Sequence, residues 1–182
     1  MRRRHTYYIV ALAIMVAAFI SGEATRARAD YVESKYVLIS AYIYKFAQFT
    51  TWPSDKEDAG FTVCVLGQDP FGSNLDPIKS RMINDERINL QYFKDAQADM
   101  SSCNVLYVAS SEVSKVKDIL ATLKGTSVLT MSDIPGFSNS GGMVEFKQEG
   151  GKVGVWIALS AVRVRGLSIS SKLLSLANMN IR

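Results

Sequence analysis

Of the side chains that usually do chemistry, this chain has one histidine, His5, two cysteines, Cys64 and Cys103, and scattered acids. His5 falls inside an N-terminal segment that reads as an export signal, so the domain left after cleavage would have no imidazole. A Ser-His-Asp or Cys-His site cannot then be built, nor can a zinc site that uses histidine. Asp69, Asp76, Asp133, Glu145 and Glu149 leave paired-carboxylate chemistry formally open. No spacing brings two of them together, and isolated acids are usually solvated. Ser171-Lys172 invites a Ser-Lys reading, but adjacent helical residues do not face each other. That pair reads as a cap and a surface charge. The residues predict no catalytic site, no metal and no cofactor.

The export reading rests on three features of Met1–Ala29. Arg2, Arg3 and Arg4 make a basic start, Ile9 to Ile20 is an apolar run, and Ala27-Arg28-Ala29 is the small-x-small pattern of a cleavage site. Twelve apolar residues reach about 18 Å as a helix, short of a roughly 30 Å hydrocarbon core. A cleaved signal over residues 1–29 is expected, followed by one domain over 30–182. The signal carries Arg2, Arg3, Arg4, Arg26 and Arg28 against Glu23 alone. Removing these from 21 basic and 17 acidic residues leaves 16 of each. The exported domain is neutral, so the sequence pI near 9.1 is no argument for nucleic acid or membrane phosphates.

The elements that would position any site alternate between helix and strand. Tyr31 to Thr50 reads as a helix stopped by Trp52-Pro53, with Val32, Tyr36, Ile39, Ile43 and Phe46 on one face. Leu38, Tyr42 and Phe49 make a second apolar stripe. That surplus predicts partial cover by a second subunit, with Tyr42 and Phe49 as candidate dimer or partner contacts. Phe61–Leu66 and Val105–Ala109 are continuous apolar runs typical of central parallel strands, and Ile88, Leu90 and Tyr92 alternate with polar residues. Ser110 or Ser111 is expected to cap a helix that turns Val113, Val116, Ile119, Leu120 and Leu123 inward, with Gly125 at its end. Val128 to Met131 is the next strand. Met143–Lys147 and Val153–Leu159 flank Gly150-Gly151 as an antiparallel hairpin, and helices over Ser160–Arg165 and Ser171–Met179 close the chain. Pro77 requires the helix after the first strand to start late, with Asp76 as its cap. The expected fold is α/β: a mostly parallel sheet with helices on both faces, partly Rossmann-like, plus a C-terminal antiparallel hairpin.

Ligands favour the carboxyl ends of such strands. The loops there, Gly67–Gly72 and Ser132–Phe137, make poor phosphate cradles. Pro70 and Pro135 lack an N–H, and Asp69 and Asp133 would repel an anion. The simpler reading is that these residues set turns. The sharper one is a pocket or contact surface using Asp69, Phe71, Asp133 and Phe137. Trp52 and Trp156 read as core. An even cysteine count in an exported chain suggests a Cys64–Cys103 disulfide, which can form if the first and third strands are neighbours. Two buried free thiols are the alternative. No CxxC motif argues for redox catalysis.

Five segments in order resemble one family. They are Ser40–Phe49 with Trp52-Pro53, Cys64–Gly72, Cys103–Ala109, Val128–Phe137 with Gly141–Met143, and Gly166–Leu174. Together they are similar to the YfiR family of periplasmic proteins across the whole exported chain. The resemblance implies a periplasmic repressor that binds the periplasmic part of an inner-membrane diguanylate cyclase and holds it inactive. It also implies release by an OmpA-like outer-membrane lipoprotein, a homodimer, and use of disulfides, with Cys64 and Cys103 at matching positions. Cyclic di-GMP and biofilm formation would be the output. Two departures stand out: Ala158 occupies a position where the family often has Asn, and a second cysteine pair known in the family has no counterpart here. The competing class is a periplasmic small-molecule-binding module that tunes another membrane sensor; a hydrolase ranks third.

Overall fold

The structure is a computed structural model that describes residues 35–53, 60–149, 152–175 and 179–181. The expected signal at 1–29 lies outside these residues. The described residues from Val37 onward form one compact unit, and Lys35 and Tyr36 fall outside it.

Helix α1 covers residues 35–49 and leads into β1 (Thr50–Thr51), one residue before the expected helix end. Its buried residues, Tyr36, Ile39, Ser40, Ile43, Phe46 and Ala47, follow the 3.6-residue period. Strand β2 (Phe61–Leu66) is buried throughout. A 3₁₀ turn over Gly72–Leu75 then runs into α2 (Asp76–Lys79), which places Pro77 in the first turn where its missing N–H is harmless. Asp76 is not the cap expected. It lies inside the helix, and its carboxylate accepts from Lys79 at 2.6 Å.

Strands β3 (Met82–Ile83) and β4 (Glu86–Phe93) form an antiparallel pair around Asn84-Asp85, both at positive φ. Strand β5 (Val105–Val108) precedes a 3₁₀ segment, Ser110–Lys115, and α3 (Val116–Thr122). Neither serine caps this helix, because Ser111 turns its hydroxyl to the Gln68 N–H instead, at 3.0 Å. Val113 is exposed, since the tighter winding of the 3₁₀ segment takes it off the inward stripe. Strand β6 (Leu129–Ser132) follows, then β7 (Val144–Glu149), β8 (Lys152–Ile157), α4 (Leu159–Val164) and β9 (Ser168–Ile169). Helix α5 is short (Ser171–Leu174), capped by the Ser170 hydroxyl, and Met179 begins β10 (Met179–Ile181) where a longer helix was expected.

Among the described residues the main sheet runs β10-β8-β7-β6-β5-β2-β4-β3, and β1 pairs antiparallel with β9 in a separate two-stranded sheet. The five central strands are mutually parallel. In chain order they lie 2-1-3-4-5, so the direction of winding reverses at β2. The mixed α/β class with a mostly parallel sheet is as expected. The antiparallel pair β7–β8 sets Glu149 opposite Lys152, but it does not finish the sheet, because β10 adds parallel to β8.

Both faces of the central strands are buried. On one, Cys64, Leu66, Leu106 and Val108 pack with Val116, Ile119, Leu120 and Leu123 of the α3 region. On the other, Val63, Val65, Val105 and Tyr107 are at most 1% exposed. Arg165 closes the α3 face by donating to the carbonyls of Leu123 and Thr126 just past the helix, where the Leu123 carbonyl also accepts the Thr126 N–H and hydroxyl.

Cys64 and Cys103 form a disulfide with Cα atoms 6.0 Å apart, both fully buried in the α3-side core. Closing a loop of this length removes unfolded-state entropy worth about 4 kcal/mol. Replacing both cysteines by alanine should lower stability by about that amount in urea unfolding. Thiol blocking before and after reduction should reveal two new thiols in wild type only.

Candidate functional site

The strand-end loops converge where β2, β5 and β6 finish. Gly67 ends β2 at φ +97°, and a Cβ there would sit 2.4 Å from the Ser111 hydroxyl. Glycine is thus required both for the turn and for the close approach of the segment after β5. Glu112, 7% exposed, accepts from Ser111 at 3.2 Å and from Lys115 at 3.1 Å. Asp69 bends its own loop, accepting the Phe71 N–H at 2.9 Å. Burial and the Asp69 carboxylate push the Tyr92 phenol up from its ordinary value.

Phe71 is 2% exposed and meets the Tyr107 ring edge-on at 4.7 Å, and the Tyr107 hydroxyl donates to Asp133 at 2.7 Å. Three residues singled out or implied by the two loops are therefore joined: Phe71, Tyr107 and Asp133. Phe137 lies apart from them in the α3-side core, fully buried, with its ring in the space a Cβ on Gly142 would need. Both phenylalanine rings face inward, so neither is presented to a ligand as the sharper reading required. The physical reason is that an aromatic ring at the mouth of a parallel sheet buries more area by plugging it than by standing in water.

The group that sequence reasoning missed in kind is Glu145. It is fully buried on β7 and accepts from the N–H groups of Gly136 and Ser138, each at 2.9 Å, and from the Ser138 hydroxyl at 2.6 Å. Lys147, stacked 4.6 Å over the Trp156 ring, adds a cation 3.6 Å away. Burial pushes the Glu145 pKa up. The Ser138 hydroxyl, the two backbone N–H groups and Lys147 outweigh it and hold the carboxyl below its ordinary value of 4.5. Glu145 is thereby an anchor for the 133–142 loop, not half of a hydrolytic carboxylate pair. Its signal in the sequence was an acid within an apolar strand, Val144-Glu145-Phe146. Ser132 works beside it, donating to the Val108 carbonyl at 2.7 Å and accepting the Ile134 N–H at 3.0 Å.

On α1, Tyr42 is half-buried with its ring 5.9 Å from Phe146, and Phe49 is half-buried under the Lys45 ammonium. Leu38, in the same stripe, is 41% exposed, and neighbouring Val37 is 49% exposed. The stripe is only partly covered.

Among the described residues no helix is long and apolar enough to cross a membrane, and no three metal-ligating side chains gather. The arrangement is a mixed α/β domain whose carboxyl-end loops are locked by buried polar bonds. The YfiR/HmsC-like family model matches residues 36–178, and the chain belongs to that family. A comparison with curated proteins gave no match.

A folded carboxylate with a depressed pKa contributes stability that is complete above the unfolded value and lost as pH falls through the folded one. Glu145→Gln should therefore cost about 2 kcal/mol at neutral pH, the worth of charge-assisted bonds. That gap from wild type should close as pH drops below 4.5, in unfolding curves taken across the acid range.

Proposed function

We propose that this protein is a periplasmic regulatory protein that binds the periplasmic domain of an inner-membrane diguanylate cyclase and keeps it inactive. The family match over residues 36–178 carries this reading. The export-type segment 1–29 supports the compartment, and the buried disulfide suits an oxidising one. An OmpA-like outer-membrane lipoprotein is the releasing partner that the family resemblance implies. The protein acts by binding and does no chemistry on the nucleotide, which lies across the membrane from it.

Repression requires tighter binding to the cyclase's inactive state than to its active one. Holding a balanced equilibrium about 99% inactive takes roughly 100-fold preference, or about 2.7 kcal/mol. A single modest apolar interface suffices. The reversal of winding at β2 bears on the fold in the same way. If both parallel connections follow the right-handed rule, the β2-to-β4 and β5-to-β6 crossovers run over opposite faces, and the strand order then fits a Rossmann-like winding.

The half-covered stripe of Leu38, Tyr42 and Phe49 is the surface we assign to a homodimer. Tyr42→Glu or Phe49→Glu should shift the mass seen by light scattering from dimer to monomer. A monomer mass for wild type at high micromolar concentration would remove the dimer.

Deleting the gene should raise cytoplasmic cyclic di-GMP and surface attachment, and deleting the partner cyclase as well should abolish the rise. A version without residues 1–29 should fail to restore repression. Unchanged nucleotide levels in the single deletion, with the cyclase expressed, would refute the repressor role.

A further inference from the structure

The outer edge of β4 is only partly covered. In a strand the backbone N–H and C=O groups of successive residues point to opposite edges. The Phe93 carbonyl accepts from Gly67 at the end of β2, while the Ile88 N–H points the other way, to the Arg81 carbonyl at 3.3 Å. Asn89, Gln91 and Phe93 therefore serve β2, and Ile88, Leu90 and Tyr92 face outward. Strand β3 has two residues and pairs only with Glu86 and Arg87. Beyond it, the Ile88 carbonyl and both backbone groups of Leu90 and Tyr92 have no partner among the described residues. Arg81 marks the inner limit of this open stretch, with its guanidinium 5.6 Å from the Tyr44 ring of α1.

Proteins normally blunt such an edge with charge, proline or a bulge. Ile88–Phe93 has neither charge nor proline, and its register with β2 is unbroken. Its side chains alternate. Ile88, Leu90 and Tyr92 on one face run from buried through half-buried to 47% exposed, and Asn89 and Gln91 are exposed on the other. Outward donors and acceptors repeating every second residue, about 6.6 Å apart, match another extended backbone. Charge selects the kind of segment. Gly60–Asp99 carries Asp69, Asp76, Asp85, Glu86, Asp95 and Asp99 against Lys79, Arg81, Arg87 and Lys94. Residues 54–59 add Asp55, Glu57 and Asp58 against Lys56, so the balance is acidic with or without them. Burial and the Asp69 carboxylate together push the Tyr92 phenol up, which puts one of these acids at the end of the open stretch. We propose that β4 accepts an extended, basic segment of another protein as an added strand beside Ile88–Tyr92. This surface is tested without the cyclase, so its failure leaves the repressor reading standing.

The test uses the exported, disulfide-bonded protein and two end-blocked peptides, Lys-Val-Thr-Val-Thr-Lys and Glu-Val-Thr-Val-Thr-Glu, followed by amide hydrogen exchange and NMR titration. In the free protein the Leu90 and Tyr92 amides should exchange roughly tenfold or more faster than those of Gln91 and Phe93, which face β2. Saturating lysine peptide should slow Leu90 and Tyr92 to the rates of their neighbours. The glutamate peptide should bind roughly threefold more weakly at low salt, the worth of an exposed ion pair. Tyr92→Pro removes an outward N–H and no bond to β2, so it should keep the fold and weaken the lysine peptide roughly tenfold. Tyr92→Thr keeps that N–H and should retain binding. If the proline variant unfolds, the exchange pattern of the wild type decides alone. Slow Leu90 and Tyr92 amides in the dilute free protein would overturn the proposal, because the edge would already be covered. So would protection that grows with protein concentration alone, which would make a second copy the occupant. No protection by the lysine peptide at millimolar concentration, or tighter binding of the glutamate peptide, would overturn it as well.

Discussion

The covalent tie between Cys64 and Cys103 fixes the strand at which the sheet changes direction. Strand β2 has β4 on one side and β5 on the other, and each pairing is parallel, so each needs a long connection. Such pairings close slowly and at high entropic cost. The disulfide joins the middle of β2 to the chain just entering β5, and Asn104, the next residue, completes the attachment without covalent chemistry. Its N–H donates to Thr62 at 2.9 Å, its side chain accepts from Thr62 at 2.8 Å, and its carbonyl takes the Leu129 N–H at 2.8 Å and the Trp52 indole at 3.3 Å. Two adjacent residues therefore bind β2, β6 and the segment after α1 to one point.

The two ends of the sheet then differ for a definable reason. At the carboxyl end, buried acceptors meet donors: Glu145 with Gly136 and Ser138, Asp133 with Tyr107, Ser132 with Ile134. Phe71 and Phe137 fill the remaining space. At the amino end, among the described residues, the Thr50 hydroxyl is buried without a partner, and a cavity is lined by Thr50, Asn104 and Glu86. The usual preference of α/β folds for ligands at the carboxyl ends presupposes a crevice at the point of reversal.

Where the sequence was legible, one physical signal dominated each residue. Continuous apolar runs marked β2 and β5 because strands buried on both faces tolerate little else, and the 3.6-residue stripe marked the buried side of α1. The disulfide followed from compartment and count, given neighbouring strands. Short pieces were not legible. The two-residue strands β1, β3 and β9 have no periodicity to detect, and β10 begins at Met179, the last residue of an expected helix. The roles of Ser111 and Glu145 depend on partners distant in the chain or across a loop, as with the Gln68 N–H, so propensity could suggest only a cap or a solvated acid. Phe71 and Phe137 were recognised as unusual loop aromatics, but whether such a ring plugs a core or meets a ligand is decided by packing.

The geometry also constrains how an added strand and a second subunit on α1 could influence each other. Helix α1 presents the half-covered Leu38, Tyr42 and Phe49 outward, while the open stretch of β4 lies at one edge of the sheet. Strand β1 ties the end of α1 to β9 through Thr50 and Ile169, and Ser170 donates its N–H to the Phe49 carbonyl at 2.8 Å. Arg81 links the two surfaces, since its guanidinium lies over Tyr44 of α1 and its carbonyl holds the Ile88 N–H. A strand that only extends the sheet would change stability without changing subunit affinity. Coupling requires that it bind one position of the α1–β4 contact better than another, since a ligand shifts an equilibrium only by its differential affinity. The reciprocal must hold: a subunit that prefers that same position would tighten the added strand by the same factor.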